Sequence, residues 1–254
     1  MAIVFNRKFA VITGASSGIG YALAEQCIHN GFDVLVCSET EKISVAAQRL
    51  ETEGAVVYDV QEDLSTLEGV ERLYQRIVET GRPVDALMLN AGVVQGGRFL
   101  DIPLERELKM IALNCGHIVI LAKRVVTDMV ANRGGKVLIT GSVASNAPSP
   151  FQAVYGATRA FVYSFGEALR EELKNTGVTV TLLQPGATET GFFPRSNLGN
   201  TRDKEIAFQM ARDGFEAMLA GKASVNAGSF KRKVQGALDE PMPEPLKPSQ
   251  LAKR

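Results

Sequence analysis

Short, nearly continuous apolar runs alternate along this chain with longer segments of helical period. The runs are "FAVITG" at 9–14, "FDVLVC" at 32–37, "AVVYDV" at 55–60, "DALMLN" at 85–90, "GKVLIT" at 135–140 and "GVTVTLLQ" at 177–184. Runs that are apolar throughout, rather than alternating apolar with polar, mark strands covered on both faces. The segments between them are long enough for crossover helices. The pattern therefore predicts a single doubly wound parallel sheet flanked by helices on both faces, in the α/β class. A seventh strand, "ASVNAG" at 223–228, follows a helical segment around 203–220. The helices around 103–131 and 152–175 carry apolar residues on more than one face, which demands burial in the core or against a second subunit.

The C-terminal end breaks the pattern. Pro241, Pro243, Pro245 and Pro248 crowd the stretch after Asp239 and forbid a helix or a central strand there. Residues 1–238 are read as one domain and 239–254 as a Pro-rich flexible tail, with an arm packed across a neighbouring subunit as the alternative.

Composition narrows the function classes. With 254 residues, 45% of them hydrophobic and 22% charged, the chain can bury one sizeable core. Its 28 basic and 28 acidic residues cancel, so no net field draws it to nucleic acid or to an anionic membrane. The opening "MAIVFNRKFAVITG" has no basic region followed by a long apolar stretch, and no apolar run approaches the ~20 residues that span a bilayer. Cys27, Cys37 and Cys115 are odd in number and widely spaced, which suits a reducing, cytoplasmic setting rather than disulfides or zinc. His29 and His117 lack partners at metal-site spacing, so no metal is expected and both take structural roles; Cys115 reads as a small buried residue.

Candidate chemistry begins at "TGASSGIG", which starts at Thr13, follows the first strand and opens a helix. Its glycines let the chain turn tightly, bring the backbone up to a pyrophosphate, and seat the helix close on the sheet. The helix N-terminus then offers N–H groups to phosphates, the arrangement of a Rossmann-like dinucleotide site. The residues placed there are Gly14, Ser16, Ser17, Gly18, Ile19 and Gly20.

The T-G-x-x-x-G-x-G spacing resembles that of the short-chain dehydrogenase/reductase family. The likeness continues in "DL" at Asp63 and Leu64, "NAG" at Asn90, Ala91 and Gly92, then Asn114, "GS" at Gly141 and Ser142, Tyr155, and "PG" at Pro185 and Gly186 followed by Thr188 and Thr190. In order and spacing these cover residues 9 to about 193. The resemblance implies a nicotinamide dinucleotide across the carboxyl ends of the strands. Asp63 would approach the adenine ring, Asn90 would border the cleft, and Thr188 or Thr190 would meet the carboxamide. Ser38 stands where NAD-preferring relatives tend to carry Asp, and Glu39 where NADP-preferring ones tend to carry Arg. The cofactor is read as NAD or NADP. NAD is favoured, because Glu39 would repel a 2′-phosphate and Ser17 brings no positive charge to the turn.

The resemblance also implies catalytic roles. Ser142 would hold the substrate oxygen, Tyr155 would be the acid/base, and Asn114 would support a water-mediated proton path. A tyrosine with its ordinary pKa of about 10 is a poor base near neutrality, and a fixed cation four residues on favours the phenolate. The family carries lysine at that place, whereas "YGATR" supplies Arg159. A guanidinium keeps the charge and can fork to two ribose hydroxyls, but it does not readily relay a proton, and its width strains the alignment.

Two functions follow. One is an NAD(P)-dependent oxidoreductase moving a hydride between the cofactor and a carbonyl or secondary alcohol. The other is a catalytically weakened dinucleotide-binding sensor or interaction protein on the same fold. A substrate loop at about 187–205 supplies Phe192 and Phe193. With Val93, Val94, Ala144 and Phe151 they suggest an apolar pocket for a small lipophilic carbonyl or alcohol. The resemblance further implies a homodimer or homotetramer.

Overall fold

The computed structural model describes residues 7–143, 150–186 and 201–227. The expected tail at 239–254 and most of the expected substrate loop lie outside them. The strands are β1 (Lys8–Thr13), β2 (Phe32–Ser38), β3 (Val57–Gln61), β4 (Ala86–Leu89), β5 (Gly135–Thr140), β6 (Val178–Pro185) and β7 (Ser224–Ala227). They form one parallel sheet in the order β3-β2-β1-β4-β5-β6-β7. The helices are α1 (Gly18–His29), α2 (Lys42–Glu51), α3 (Leu67–Glu79), α4 (Leu104–Ile111), α5 (His117–Ala131), α6 (Ala153–Glu172) and α7 (Thr201–Leu219). All seven anticipated strands are present, and the helical segment expected around 203–220 is α7.

Successive strand residues point to opposite faces of a sheet, so both faces here carry a core. In β1, Phe9 and Val11 enter one cluster while Ala10 and Ile12 enter the other. In β2, Leu35 and Cys37 divide from Val34 and Val36 in the same way. Leu73 of α3, Leu121 of α5 and Val162 of α6 cover the first face; Leu23 of α1, Ile43 of α2 and Phe215 of α7 cover the second. Two covered faces are why the strands read as continuous apolar runs.

A buried ion pair ties the amino-terminal edge of the sheet. Arg82 Nη1 lies 2.6 Å from Asp33 Oδ2, its Nη2 donates to the Arg7 carbonyl at 2.7 Å, and its guanidinium carbon sits 4.8 Å from the centroid of the Phe9 ring. The other oxygen of Asp33 accepts the Val56 N–H at 2.9 Å.

Helices α4 and α5 join through a π-helical turn, Ala112–Gly116, into one continuous helix of 28 residues, Leu104–Ala131. By length and composition it could cross a bilayer, but Leu113, Ile118, Leu121, Val125 and Met129 are buried in the core against the sheet. The π turn carries Asn114, which is fully buried, and His117 follows it, fully buried as well. The His117 Nδ1–H donates to the Leu113 carbonyl. Burial, opposed by that hydrogen bond and reinforced by the charge of Arg159, pushes the His117 imidazole down to about 4.

Arg82→Leu leaves Asp33 with only Arg7, whose Nε lies 3.2 Å from Asp33 Oδ1, and the Val56 N–H, and is expected to cost about 2 kcal/mol, read from urea unfolding at neutral pH. For His117, the folded value lies below the ordinary 6.5, so the unfolded chain takes up the proton first as pH falls. Stability is then complete above pH 6.5 and declines toward pH 4, by on the order of 3 kcal/mol. Urea midpoints of the wild type should fall across that window, and His117→Leu should flatten the part of the slope that belongs to this residue.

Candidate active site

The order of the strands reverses between β1 and β4, so the connections leaving their carboxyl ends diverge and open a crevice. Hydrogen bonds of long sequence separation frame it. The buried Thr13 hydroxyl accepts the N–H groups of Asn90 and Ala91, each at 3.0 Å. The Asn90 amide donates to the Thr13 carbonyl at 3.2 Å, and the Thr140 hydroxyl donates to Asn90 Oδ1 at 3.1 Å. The carboxyl ends of β1, β4 and β5 are thereby locked into one piece.

The glycine turn is packed against that frame. A Cβ on Gly14, whose φ is +70°, would lie 2.8 Å from the Ala91 Cα, and one on Gly20 would lie 2.2 Å from the Gly14 carbonyl oxygen. Neither position has room for a side chain. Gly18 is different, because its Cβ position meets nothing within 4 Å. Ser17 opens α1 with no side-chain cap and with no acidic residue in the first turn, which keeps that end of the helix receptive to an anion. Ile19 is partly buried and packs on the core.

At one end of the crevice the Ser38 hydroxyl donates to that of Ser16 at 3.0 Å. Beside it, Lys109 of α4 bridges two carboxylates, its Nζ being 2.9 Å from Asp63 Oδ2 and 3.6 Å from Glu39 Oε2. Asp63 Oδ1 accepts the Ser65 N–H at 2.9 Å and the Ser65 hydroxyl at 2.7 Å. Burial works to raise the Asp63 carboxyl, but the hydrogen bonds from Ser65 and Lys109 outweigh it and hold the group below its ordinary value. The hydrogen bond to Asp63 in turn raises the Lys109 ammonium. Leu64 is buried in the core. Lys109 belongs to no motif, and its only signal in the sequence is a cation on the helix that leads to Asn114.

At the other end, Asn114 Oδ1 accepts the Val93 N–H at 2.9 Å, while its Nδ2 donates to the Val93 carbonyl at 2.9 Å and to the Thr158 hydroxyl at 3.1 Å. Thr158 then donates to the Tyr155 carbonyl at 2.7 Å. Tyr155 and Arg159, one turn apart on α6, are only 6% and 3% exposed. Arg159 Nη1 donates to the Thr140 carbonyl at 3.2 Å, and its guanidinium carbon lies 5.1 Å from the centroid of the Tyr155 ring. A Cβ on Gly92 would fall 2.8 Å from Arg159 Nη2 and 3.2 Å from Asn114 Oδ1, so these groups close tightly around the backbone there. Burial pushes the Cys115 thiol up to about 11, the condition of an inert core cysteine.

Ser142 is half-buried just past the end of β5, where the Gly141 N–H donates to the Leu183 carbonyl at 2.8 Å. Pro185 ends β6 and the Gly186 N–H donates to the Ala227 carbonyl at 2.9 Å. Phe151 is exposed, holds φ at +63°, and accepts the Gly97 N–H on its carbonyl at 2.8 Å. A bulky residue in the left-handed region is strained, and strain of this kind gathers at functional sites. Ala144, Thr188, Thr190, Phe192 and Phe193 lie outside the described residues. His29 takes no part, pairing instead with Glu53 at 3.2 Å on the surface.

The sequence reading left Thr13, Thr140 and Thr158 without roles. Their contacts join residues far apart in the chain, and a threonine in an apolar strand carries no local mark of such a bond.

The model of the short chain dehydrogenase family matches residues 8–200. An uncharacterized oxidoreductase of Bacillus subtilis, YvaG, is 32% identical over 193 residues, covering 75% of this chain and 72% of its own. Among solved structures, an alcohol dehydrogenase from the archaeon Thermococcus sibiricus, complexed with 5-hydroxy-NADP, superposes with a TM-score of 0.77 at 26% identity over 87% of this chain and 96% of that one. A short chain dehydrogenase/reductase from Burkholderia phymatum in complex with NAD superposes with a TM-score of 0.79 at 23% identity over 97% and 100% of the two chains. The likeness to this last structure concerns the fold. Because the family model extends over most of its length, the chain belongs to the short-chain dehydrogenase family of oxidoreductases.

Proposed function

We propose that this protein is an NAD(P)-dependent oxidoreductase that interconverts a lipophilic carbonyl and its secondary alcohol, with Tyr155 as acid/base and Arg159 in the family lysine's place. The observation that carries this reading is the seat of Arg159. Its guanidinium is buried, fixed on the Thr140 carbonyl at 3.2 Å and held 5.1 Å from the Tyr155 ring centroid. An arginine only tolerated at that position would extend to solvent; this one is part of the frame that also carries Asn114.

The crevice suits a dinucleotide. Gly14 and Gly20 admit no side chain, the outer side of Gly18 is open, and α1 begins without a cap, so the turn forms a cradle for a pyrophosphate. A nicotinamide dinucleotide bound there supplies or accepts the hydride; structural relatives have been solved with NAD or NADP. In this reading Ser16, Ser17 and Ile19 border the phosphates, Asp63 and Leu64 the adenine, Pro185 and Gly186 the nicotinamide, and Thr188 or Thr190 its carboxamide. The Nη edge of Arg159 donates to the ribose hydroxyls.

Ser142 positions the substrate oxygen. In reduction, as the hydride reaches the carbonyl carbon, the Tyr155 hydroxyl gives its proton to the oxygen; in oxidation it takes the proton back. The apolar pocket is formed by Val93, Val94 and the exposed Phe151 ring.

Charge at the adenosine end supports NAD. Glu39 and Asp63 carry two negative charges against the one positive charge of Lys109, and the surplus opposes a 2′-phosphate. Assembly as a homodimer or homotetramer is supported by the face of α4, where Leu104 is 66% and Leu108 55% exposed.

NADH oxidation followed by absorbance against a panel of aldehydes and ketones tests the reading. Wild type should turn over, Tyr155→Phe should lose about 100-fold or more, Arg159→Ala should be silent, and Arg159→Lys should match or exceed wild type. A silent wild type awakened only by Arg159→Lys would give the weakened dinucleotide-binding alternative the lead. By fluorescence titration NADH should bind more tightly than NADPH, and Glu39→Gln should narrow the gap by about ten-fold. Equal or tighter NADPH binding in the wild type would overturn the preference.

A further inference from the structure

Of the buried polar atoms with no hydrogen-bond partner among the described residues, two belong to the neighbourhood of the site: Nε of Arg159 and Nε2 of His117. Their chemistry is complementary. Arg159 Nε always carries a hydrogen. His117 gives its Nδ1 hydrogen to the Leu113 carbonyl, so in the neutral ring Nε2 presents a bare lone pair. The guanidinium charge of Arg159 acts against protonation of the ring. His117 opens α5 directly after the π turn that holds Asn114 and Cys115. That turn packs on α6 beside Arg159, with Cys115 Sγ 3.8 Å from the Thr158 carbonyl oxygen. A donor and an acceptor each buried and unmade are costly, and a single buried water lying between them can satisfy both.

We propose that His117 is a positioning residue for Arg159, its Nε2 taking the guanidinium Nε–H through one bridging water and thereby fixing the direction of the Nη edge. A guanidinium needs such a second anchor because it is planar and wide, and a small rotation about its stem moves both Nη atoms. Thr140 holds one corner at 3.2 Å, and His117 holds the opposite one. A lysine has no Nε–H at this place, so the histidine serves the arginine specifically. No proton passes along this link, since the arginine stays charged and the ring stays neutral. The inference rests on the reading of Tyr155 and Arg159 as the reacting end of the site.

Nitrogen NMR of the full chain, labelled at the histidine imidazole and free of cofactor, tests the link apart from activity. The wild type should show His117 with Nδ1 protonated and Nε2 unprotonated but hydrogen-bonded between pH 8 and pH 5, and Arg159→Lys should move the Nε2 resonance toward that of a free lone pair. A protonated Nε2 in the wild type, or a resonance indifferent to Arg159→Lys, would overturn the proposal. Alongside it, NADH affinity and turnover are compared in His117→Leu and His117→Gln. Loss of the acceptor in His117→Leu should weaken NADH binding or lower kcat by roughly ten-fold, and His117→Gln, whose side-chain oxygen restores an acceptor, should recover most of that. Equal defects in the two variants would mean a packing role only and would sink the idea. Should no carbonyl be turned over by any variant, the oxidoreductase reading fails, while the resonance and the NADH affinity still decide the role of His117. The NMR comparison also stands where His117→Leu does not fold.

Discussion

One buried hydroxyl holds the site together. Thr13 ends β1 and accepts both the Asn90 and Ala91 N–H groups, at 3.0 Å each, across the place where strand order reverses. Parallel strands diverging at their carboxyl ends leave backbone donors without a ladder partner, and such donors need a substitute acceptor when buried. Thr13 supplies it, Asn90 returns a bond to the Thr13 carbonyl, and Thr140 adds one from β5. The glycine turn, the chain around Gly92 and the carbonyl that anchors Arg159 all take their positions from this frame.

The buried seat of Arg159 is therefore a matter of fit rather than of charge alone. The wider guanidinium is accommodated because Gly92 offers no side chain beside it, Thr140 presents a carbonyl, and the Tyr155 ring lies alongside. Asn114 lies in the same packing, since the π turn brings its amide against both Val93 and Thr158. A π turn spaces its residues differently from an α-helix, and such turns recur at functional sites.

The buried ion pair and the candidate site lie at opposite edges of the sheet. The Arg82–Asp33 pair braces the amino-terminal edge, where the strands begin and no predicted site residue lies. The carboxyl edge collects the glycines, the half-buried serine, and the buried arginine and tyrosine.

The amino-acid sequence by itself determined the strands, their parallel pairing and the place of the glycine turn. Each of these depends on local pattern: an apolar run covered on both faces, a helical stretch between runs, glycines at fixed spacing. Asn114 and Tyr155 were expected as a pair because their order and spacing resemble a family pattern, and Arg159 stood out as a departure from it. The tertiary structure alone decided the contacts that give them meaning. Thr13 and Asn90 are 77 residues apart in the chain, and Lys109 and Asp63 are 46 apart. Nor does the sequence reveal that His117 and Arg159 are both buried, each with a polar atom unpartnered. Bonds of that separation leave no periodic trace, because they depend on where the sheet brings its strand ends together, and that is fixed only when both cores close.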